Sequence, residues 1–377
     1  MDYENYKDAP PMETVAVIKK CLSDIGLVIE ESVDERLNNI FSASLSETVG
    51  GWGTAGKGTT REYCLASGYG EMMEHLSNYY AYDTTVLKKE TLQYAGFERY
   101  PDEVTMLIRS IREQAPDVFA DMKQSFEMDG DHADQDDEIY AVWEALLGQN
   151  TIFVPYYSVK QRKEVLLPEL VVYNLCGSNG GSAGNSHYEA LGHAFDEIIE
   201  RYVKYQIYSE KLTPPDIPMS FIQREYRELH NVIVEIKEKT GFDIYIKDAS
   251  LGLGFSVVCV LIVDKIRKRH MANFGAHPVF QIALERCLTE MFQSFSVTKD
   301  SSKRKKMTRW HATTAESFAC TKNWVSLLRD DCGYLPNSFF AGNVSWEFVP
   351  WPKMPEYSNE IGMRYQLEKL MSMGGDV

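Results

Sequence analysis

The stretch from residue 174 to residue 204, NLCGSNGGSAGNSHYEALGHAFDEIIERYVK, decides what this chain is predicted to be. It opens with a loop rich in glycine, serine and asparagine at 177–185 and continues as a long amphipathic pattern. Asn185 or Ser186 is a good N-cap, because a short polar side chain accepts a hydrogen bond from a free backbone N–H. Free N–H groups and the helix dipole favour anions at such a position. The stretch therefore predicts an anion-binding loop that leads into a helix.

This helix is predicted to have two faces, since side chains repeat at about 100° per residue. The apolar face holds Leu191, Ala194, Phe195, Ile198 and Tyr202, and the polar face holds Glu189, His193, Asp196, Glu197, Glu200 and Lys204. Glu197 and Glu200 repel each other by roughly 0.2–0.5 kcal/mol, which Arg201 or a bound cation would relieve. Two interpretations stay open: a solvated acidic face, and a metal–nucleotide site whose oxygen ligands would suit Mg²⁺.

Length and composition exclude several classes of protein. The chain has 377 residues, of which 44% are hydrophobic, so a large core is expected. A net charge of −16 argues against direct nucleic-acid binding, and residues 303–306 are predicted to form a solvated basic loop. Seven cysteines without a C-x-x-C pair indicate free thiols, and the polar start and short apolar runs predict a cytoplasmic protein without a membrane span.

The order of predicted elements mixes helices and strands. Helices are predicted at residues 12–26, 60–80, 225–240 and 280–295, strands at 27–30, 41–49, 151–159, 166–173, 242–247 and 256–264, and a glycine-rich loop at 50–60. This order predicts the α/β class, or α+β, with mixed sheets flanked by long amphipathic helices.

Two of the other helices also carry acidic side chains behind a loop. Their polar faces hold Ser67, Glu71, Glu74 and Asn78 in the earlier helix, and Arg286, Glu290 and Gln293 in the later one. If the three helices converged, six carboxylates would share one site, and repulsion would raise their pKa values unless cations were bound. Two or more Mg²⁺ ions with a polyphosphate would satisfy them. Spacing alone leaves the convergence open.

The sequence at 51–58, GWGTAGKG, nearly matches a P-loop. Gly58 stands where a P-loop needs serine or threonine for Mg²⁺, which argues against a true one. Lys57 is then either a surface lysine or a nucleotide contact. We expect a bound polyphosphate mainly at the two glycine-rich loops, 53–60 and 177–185, because both precede predicted helix starts.

These same residues resemble the YcaO family. The motifs are GKG at 56–58, S-x-x-x-E-x-x-E at 67–74, SNG-x-SAGN with E-x-x-E-R between 178 and 201, and FGAHP with ALER-x-x-x-E-x-x-Q at 274–293. The likeness runs from about residue 7 to the end and is closest to stand-alone members of the enterobacterial type. It implies a YcaO-type ATP-binding fold that binds ATP with Mg²⁺ without a standard P-loop.

The resemblance also implies roles for individual residues, although it assigns no catalytic residue. Mg²⁺ would be held by Glu71, Glu74, Glu189, Glu197, Glu200 and Glu290. The nucleotide would be contacted by Lys7, Thr14, Lys57, Ser67, Ser182, Asn185, Arg201 and Arg286. Thr14 stands where a serine is expected, and its hydroxyl could serve. His75 replaces an arginine.

Family members with known chemistry phosphorylate a peptide-backbone amide oxygen and then add a nucleophile. Two functions stay open for this chain: ATP-dependent activation of a peptide amide for post-translational modification, and a non-catalytic ATP-binding accessory role in methylthiolation of a ribosomal protein. The expected partners are a peptide or protein substrate, a ribosomal protein among them, and a second copy of the chain in a homodimer. The end MSMGGDV lacks the proline-rich tail of azoline-forming members, so cyclodehydration is not supported.

The chain is predicted to be a single YcaO domain over residues 1–377, truncated at its C-terminus. Residues 367–377 repeat the pattern of 236–244, a helix end, a glycine turn, and then Asp with a β-branched residue that starts a strand. We expect a closing strand and a helical tail to be missing after Val377, with an unpaired sheet edge or apolar patch nearby.

Overall fold

A computed structural model describes residues 6–48, 51–78, 102–125, 133–266, 269–293, 311–312, 337–340, 342–351, 353–354 and 356–373. The helices of this part are α1 (Pro11–Asp24), α2 (Arg61–Ser77), α3 (Ile111–Gln114), α4 (Pro116–Ser125), α5 (Ala133–Leu147), α6 (Glu169–Cys176), α7 (His187–Ser209), α8 (Met219–Glu225), α9 (Arg227–Thr240), α10 (Phe280–Gln293) and α11 (Asn359–Ser372). The strands are β1 (Ile29–Leu37), β2 (Ile40–Glu47), β3 (Gly53–Gly58), β4 (Val104–Leu107), β5 (Asn150–Ser158), β6 (Lys163–Pro168), β7 (Asp243–Asp248), β8 (Val257–Asp264), β9 (Arg269–Ala276) and β10 (His311–Ala312). Short 3₁₀ turns lie at Ile108–Ser110 and Asn337–Phe340.

The central sheet has the strand order β10-β9-β8-β7 and buries both of its faces. Because side chains alternate along a strand, an apolar run such as that of β8 needs a layer of helices on each side. Helices α9 and α10 cover one face, and α7 and α11 cover the other. Three side chains of β8 pack on the side of α9 and α10, namely Val258, Val260 and Ile262. The alternating ones pack on the side of α7 and α11, namely Val257, Cys259 and Leu261.

The N-terminal sheet, β1-β2-β3, packs against α1 and α2. It also contacts α10. The Ser42 hydroxyl donates to the Gln293 carbonyl at 3.0 Å, and the Gln293 amide donates to the Ala55 carbonyl at 2.6 Å. Helix α10 thus lies between the central and N-terminal sheets. A third sheet, β4-β5-β6, packs with α5 around Phe153 and Trp143.

The α+β architecture with long amphipathic helices is confirmed, and each strand pairing in the described part of the chain is antiparallel. The loop predicted at 50–60 is wrong, because residues 53–58 form β3. A Cβ on Gly56 would lie 2.0 Å from the Cys64 carbonyl oxygen, and one on Gly58 would lie 2.6 Å from the Cys64 nitrogen. Glycine is used here for close packing of a strand on α2, not for a turn.

Other sequence expectations also need correction. The strand predicted at 166–173 is wrong, because β6 ends at Pro168 and α6 begins at Glu169. A short apolar run is ambiguous between strand and helix, and here Val171 is buried on a helix face. Strand β9 was not expected, since its sequence RHMANFGA is too polar to predict a buried strand. The strand predicted at 27–30 is instead the longer β1.

Several expectations fall on residues outside the described part. These are the basic cluster at 303–306, Cys320, Cys332 and the strand start expected at 374–377. The five described cysteines are free thiols, as predicted. No helix among the described residues combines the length and apolarity needed to span a membrane.

The packing of β3 on α2 predicts opposite effects for two glycine substitutions. We expect Gly56→Ala to destabilise the protein by about 1–3 kcal/mol, because the new methyl group would overlap backbone atoms of α2. Gly70→Ala in α2 meets no atom within 4 Å, and we expect it to stabilise the helix by about 0.5–1 kcal/mol. Thermal unfolding of the two variants measures both signs. A Gly56→Ala midpoint equal to that of Gly70→Ala would contradict this packing.

Candidate functional site

A cavity of about 1680 Å³ opens where α1, α2, α7 and α10 meet. Every site residue expected from the sequence lines it, so the convergence that spacing left open is observed. Their positions are Lys7 before α1, Thr14 on α1, Lys57 on β3, Ser67, Glu71 and Glu74 on α2, Ser182 and Asn185 in the loop at 177–186, Glu189, Glu197, Glu200 and Arg201 on α7, and Arg286 and Glu290 on α10.

The glycine-rich loop at 177–186 folds back on α7. Ser186 is the N-cap, and its hydroxyl accepts from the Glu189 backbone N–H at 3.2 Å. Gly180, at φ 81°, donates its backbone N–H to a Glu197 carboxylate oxygen at 3.0 Å. A Cβ on Gly184 would lie 2.4 Å from the Ala190 nitrogen, so this position needs glycine for close approach to α7. The loop therefore presents a backbone amide to an anionic group on the cavity wall.

Glu189 is buried at the start of α7 and fully engaged by neighbours. Lys7 Nζ lies 3.0 Å from its Oε1, while the Asp8 backbone N–H and the Asn185 amide donate to its Oε2, each at 3.0 Å. Lys7 Nζ also lies 2.9 Å from His193 Nε2. Burial lowers the pKa of Lys7 and holds that of His193 well below its usual value, so the histidine is neutral and accepts from the lysine.

The Thr14 hydroxyl donates to Asn185 Oδ1 at 2.7 Å. Threonine thus fills the place of the expected serine with a hydrogen bond to the glycine-rich loop. His75, which stands where an arginine was expected, lines the cavity, and burial lowers its pKa.

Arg201 joins α7 to the loop. Its Nη2 lies 3.2 Å from Glu197 and its Nη1 lies 3.3 Å from Glu200, while Nε donates to Asn179 Oδ1 at 2.9 Å. One guanidinium therefore neutralises two carboxylates that repel each other and orients the loop. Only 13% of its side chain is exposed, which strengthens these ion pairs relative to pairs on the surface.

Two more cations come from other elements. Lys57 Nζ on β3 lies 2.5 Å from Glu290 on α10, and Arg286 Nη1 on α10 lies 2.5 Å from Asp196 on α7. Asp196 is 2% exposed, and burial raises its pKa to about 7 even though Arg286 opposes the shift. Each of these ion pairs joins two separate elements across the cavity.

Glu71 and Glu74 differ from the other carboxylates, because no hydrogen bond or ion pair joins either carboxylate to another described residue. Burial raises the pKa of Glu71 to about 7, Lys57 opposes the shift, and Glu290 and Glu197 add to it. Burial, with Glu197 and Glu71 nearby, raises the pKa of Glu74 to about 8. These carboxylates hold protons near neutral pH, and a bound cation would replace the protons.

Of the two interpretations of the polar face of α7, the solvated acidic face does not fit the structure. Its Glu197 and Glu200 face the cavity, and Lys204 is buried with Nζ 5.9 Å from the centre of the Phe274 ring. Leu191, predicted on the apolar face, is 43% exposed, so that assignment is wrong. Phe195 is buried as predicted, and the other core contacts of α7 come from Ile199, Val203 and Ile207.

Sequence reasoning missed several cavity residues, namely Asp8, His193, Asp196 and His277. His193 and Asp196 could have been recognised, since they lie four and seven residues after Glu189 on the same helix face. His277 belongs to the FGAHP motif at 274–278, and its Nδ1 accepts from the Val279 N–H at 2.9 Å.

The chemistry of the carboxylates fits Mg²⁺, which prefers oxygen ligands. In the described part of the chain no three His, Cys, Asp or Glu side chains are gathered closely enough to hold a metal ion. Lysine and arginine pairs keep several of the carboxylates apart. The oxygen donors lie on separate walls of one cavity.

Comparison with known proteins gives consistent results. The profile of the family described as the YcaO cyclodehydratase, ATP- and Mg²⁺-binding, matches residues 55–376. An uncharacterised protein of Haemophilus influenzae is 31% identical over 293 residues, which cover 77% of this chain and 49% of that protein. The ribosomal protein S12 methylthiotransferase accessory factor YcaO of Escherichia coli is 30% identical over 347 residues, 92% of this chain and 58% of that protein. This chain therefore spans about half the length of the curated relatives it matches.

Two solved structures share the fold. YcaO from Methanopyrus kandleri, bound with AMPPCP and Mg²⁺, superposes with a TM-score of 0.59 at 19% identity over 100% of this chain and 87% of that one. A heterocyclase in complex with substrate and cofactor gives 0.59 at 17% identity, over 98% of this chain and 50% of that one. Together with the family profile over most of the sequence, these findings show that the chain belongs to the YcaO family.

Proposed function

We propose that the cavity binds ATP with Mg²⁺ and that the bound ATP phosphorylates the oxygen of a peptide-backbone amide. The observation that carries this proposal is the pair Glu71 and Glu74, two carboxylates that no ion pair or hydrogen bond joins to another described residue and whose pKa values are raised. They face a glycine-rich loop and Lys57, groups suited to phosphate. The family profile, described as ATP- and Mg²⁺-binding, supports the same ligands.

In this proposal the carboxylates divide into two sets by the helix that carries them. Glu71 and Glu74 on α2 form one wall for Mg²⁺, and Glu290 on α10 with Glu197 and Glu200 on α7 form the other. Glu189, already engaged by Lys7, completes the acidic set at the start of α7. Bound Mg²⁺ would neutralise charge on the polyphosphate.

The proposed nucleotide contacts come from the glycine-rich loop at 177–186 and from Lys57 on β3. Because β3 is a strand, the polyphosphate is expected at the loop 177–186 and at Lys57, and not along 53–60 as a second loop. Ser182 and Asn185 hold that loop: Ser182 donates to the Ala190 carbonyl at 2.6 Å, and Asn185 accepts from Thr14. Ser67, whose hydroxyl accepts weakly from the Lys57 N–H at 3.4 Å, supports the lysine.

The proposed step forms a bond between the amide oxygen and the γ-phosphorus and breaks the bond from that phosphorus to the β–γ bridging oxygen, releasing ADP. A nucleophile then adds to the former amide carbon, and phosphate leaves with the oxygen. Arg286 and Arg201 line the cavity and would neutralise charge on the transferring group. The nucleophile is not assigned to any residue of this chain.

A second candidate is a non-catalytic accessory role, in which nucleotide binding regulates a partner that modifies a ribosomal protein. The name of the Escherichia coli relative, an accessory factor of a ribosomal protein methylthiotransferase, favours it. ATP turnover measured with and without a peptide or ribosomal protein separates the two. Turnover stimulated by a peptide supports amide activation, and nucleotide binding without turnover supports the accessory role. Homodimer formation remains a separate prediction, checked by light scattering.

Charge-removing variants test the metal site. We expect Glu74→Gln and Glu200→Gln each to weaken ATP binding in excess Mg²⁺ at least tenfold, or about 1.4 kcal/mol, because each deletes a charge that would hold a divalent ion. Stability without ligand should hold or rise in Glu74→Gln, because its carboxylate is raised in pKa by burial and by Glu197 and Glu71. It should fall in Glu200→Gln, which loses its ion pair with Arg201. Titration calorimetry and thermal melts measure the two effects.

The matched control for these variants is Glu138→Gln, at an exposed position on α5 away from the cavity. It should change neither affinity nor stability. Unchanged ATP affinity in both Glu74→Gln and Glu200→Gln would contradict the proposal that this cavity holds the metal site.

The raised pKa values predict that ATP and Mg²⁺ binding releases protons. Between the ordinary carboxylate value and the folded values of about 7 and about 8, the folded protein holds more protons than the unfolded chain. Stability without ligand should therefore fall as pH rises through this window, whereas affinity for ATP with Mg²⁺ should rise.

Calorimetry in two buffers of different ionisation enthalpy measures this exchange. At pH 7 we expect release of about one proton for each ATP bound. Glu74→Gln should release fewer protons than the unchanged protein, because its side chain cannot titrate. Identical binding heats in the two buffers would show that these carboxylates are already ionised.

A further inference from the structure

One buried side-chain amide of helix α11, that of Gln366, contacts a residue that lines the cavity. Gln366 is 1% exposed, and its Nε2 donates to the Gly192 carbonyl at 2.9 Å and to Asp196 Oδ1 at 2.5 Å. Its Oε1 finds no hydrogen-bond partner among the described residues. A buried amide oxygen without a partner is unfavourable, so the side chain is held in this orientation by its two donor bonds.

The hydrogen bonds continue from Asp196 to the cavity. The second carboxylate oxygen of Asp196, Oδ2, accepts from Arg286 Nη1 at 2.5 Å. The same Nη1 donates to the Ala276 carbonyl at 3.2 Å, and 31% of the Arg286 side chain is exposed, on the cavity wall. Gln366 therefore fixes one oxygen of the carboxylate whose other oxygen holds the guanidinium.

The approach of α11 depends on a glycine inside α7. A Cβ on Gly192 would lie 3.3 Å from Gln366 Oε1, which is closer than ordinary van der Waals contact. Glycine in a helix interior is less stable than alanine, yet it stands here at the place where Gln366 contacts the helix backbone. The glycine at position 192 and the hydrogen bonds of Gln366 together indicate a specific contact between α7 and α11. Apolar packing alone would require neither of them.

We propose that Gln366 is a positioning residue for the nucleotide site: through Asp196 it orients the Arg286 guanidinium toward the cavity. This inference deepens the proposed function, on which it rests for the role of Arg286 as a nucleotide contact. Gln366 itself touches neither nucleotide nor substrate in this proposal, and it acts only through the carboxylate it holds.

The test combines affinity with a measurement that needs no nucleotide. Gln366→Met keeps the side-chain volume and removes both donor bonds, and Glu368→Met, at an exposed position on the same helix, is the matched control. Titration calorimetry gives the ATP affinity in excess Mg²⁺. It is measured for Gln366→Met, for Arg286→Met and for the variant that carries both changes, which together form a double-mutant cycle. Peptide mass spectrometry gives the rate at which phenylglyoxal modifies Arg286 without nucleotide.

We expect Gln366→Met to weaken ATP binding about fivefold and to accelerate modification of Arg286 about threefold, because the guanidinium is no longer held. The double variant should bind ATP within about twofold of Arg286→Met, since an effect that acts through Arg286 disappears with it. The Glu368→Met control should match the unchanged protein in both measurements.

An Arg286 modification rate in Gln366→Met equal to that of the unchanged protein would overturn the inference, as would additive losses of affinity in the cycle. If the unchanged protein binds no ATP, the proposed function fails, and the modification rate still decides whether Gln366 positions Arg286. If Gln366→Met does not fold, Gly192→Ala displaces the Gln366 amide without removing it. Faster modification of Arg286 in that variant supports the inference, and an unchanged rate overturns it.

Discussion

The structure depends on one electrostatic constraint: carboxylates from three helices line one cavity in which they are at least partly buried. Like charges in such a place must be paired with cations or protonated. Lysines from other elements neutralise some of these carboxylates: Lys7 pairs with Glu189, and Lys57 pairs with Glu290. Burial and the neighbouring carboxylates raise the pKa of Glu74 to about 8, which favours its protonated form at neutral pH. Lysine and arginine thus balance several of these carboxylates, and the raised pKa values of Glu71 and Glu74 leave two that a divalent cation could bind in place of protons.

The central sheet makes this gathering possible. Helices α7 and α10 cover opposite faces of β8, yet both reach the cavity, where Arg286 of one meets Asp196 of the other. The N-terminal sheet brings α2 to the third side, because Gly56 and Gly58 let β3 pack directly on that helix. Apolar packing sets the distances between the helices, and the ion pairs set which of their faces meet.

Local patterns and the family resemblance predicted residues that the structure brings together on the walls of one cavity, and tertiary contacts decided the rest. Glutamates three residues apart behind glycine-rich stretches marked the correct helix faces, since spacing fixes the face of a helix. The same glycines misled the assignment of β3, because a residue chosen for close approach looks like one chosen for a turn. Gln366 meets Asp196 from 170 residues away, and no short pattern announces such a contact.

The placement of Glu71 and Glu74 has a further consequence for how the molecule opens. These residues belong to the N-terminal sheet and α2, whereas Glu197 and Glu290 belong to the helices of the central sheet. An ion held between the two sets joins two layers that can otherwise open as separate local units. Occupancy of the cavity would then merge the layers into one cooperative unit, and the amide hydrogen exchange of β1, β2 and β3 would depend on a ligand that none of these strands needs for its own pairing.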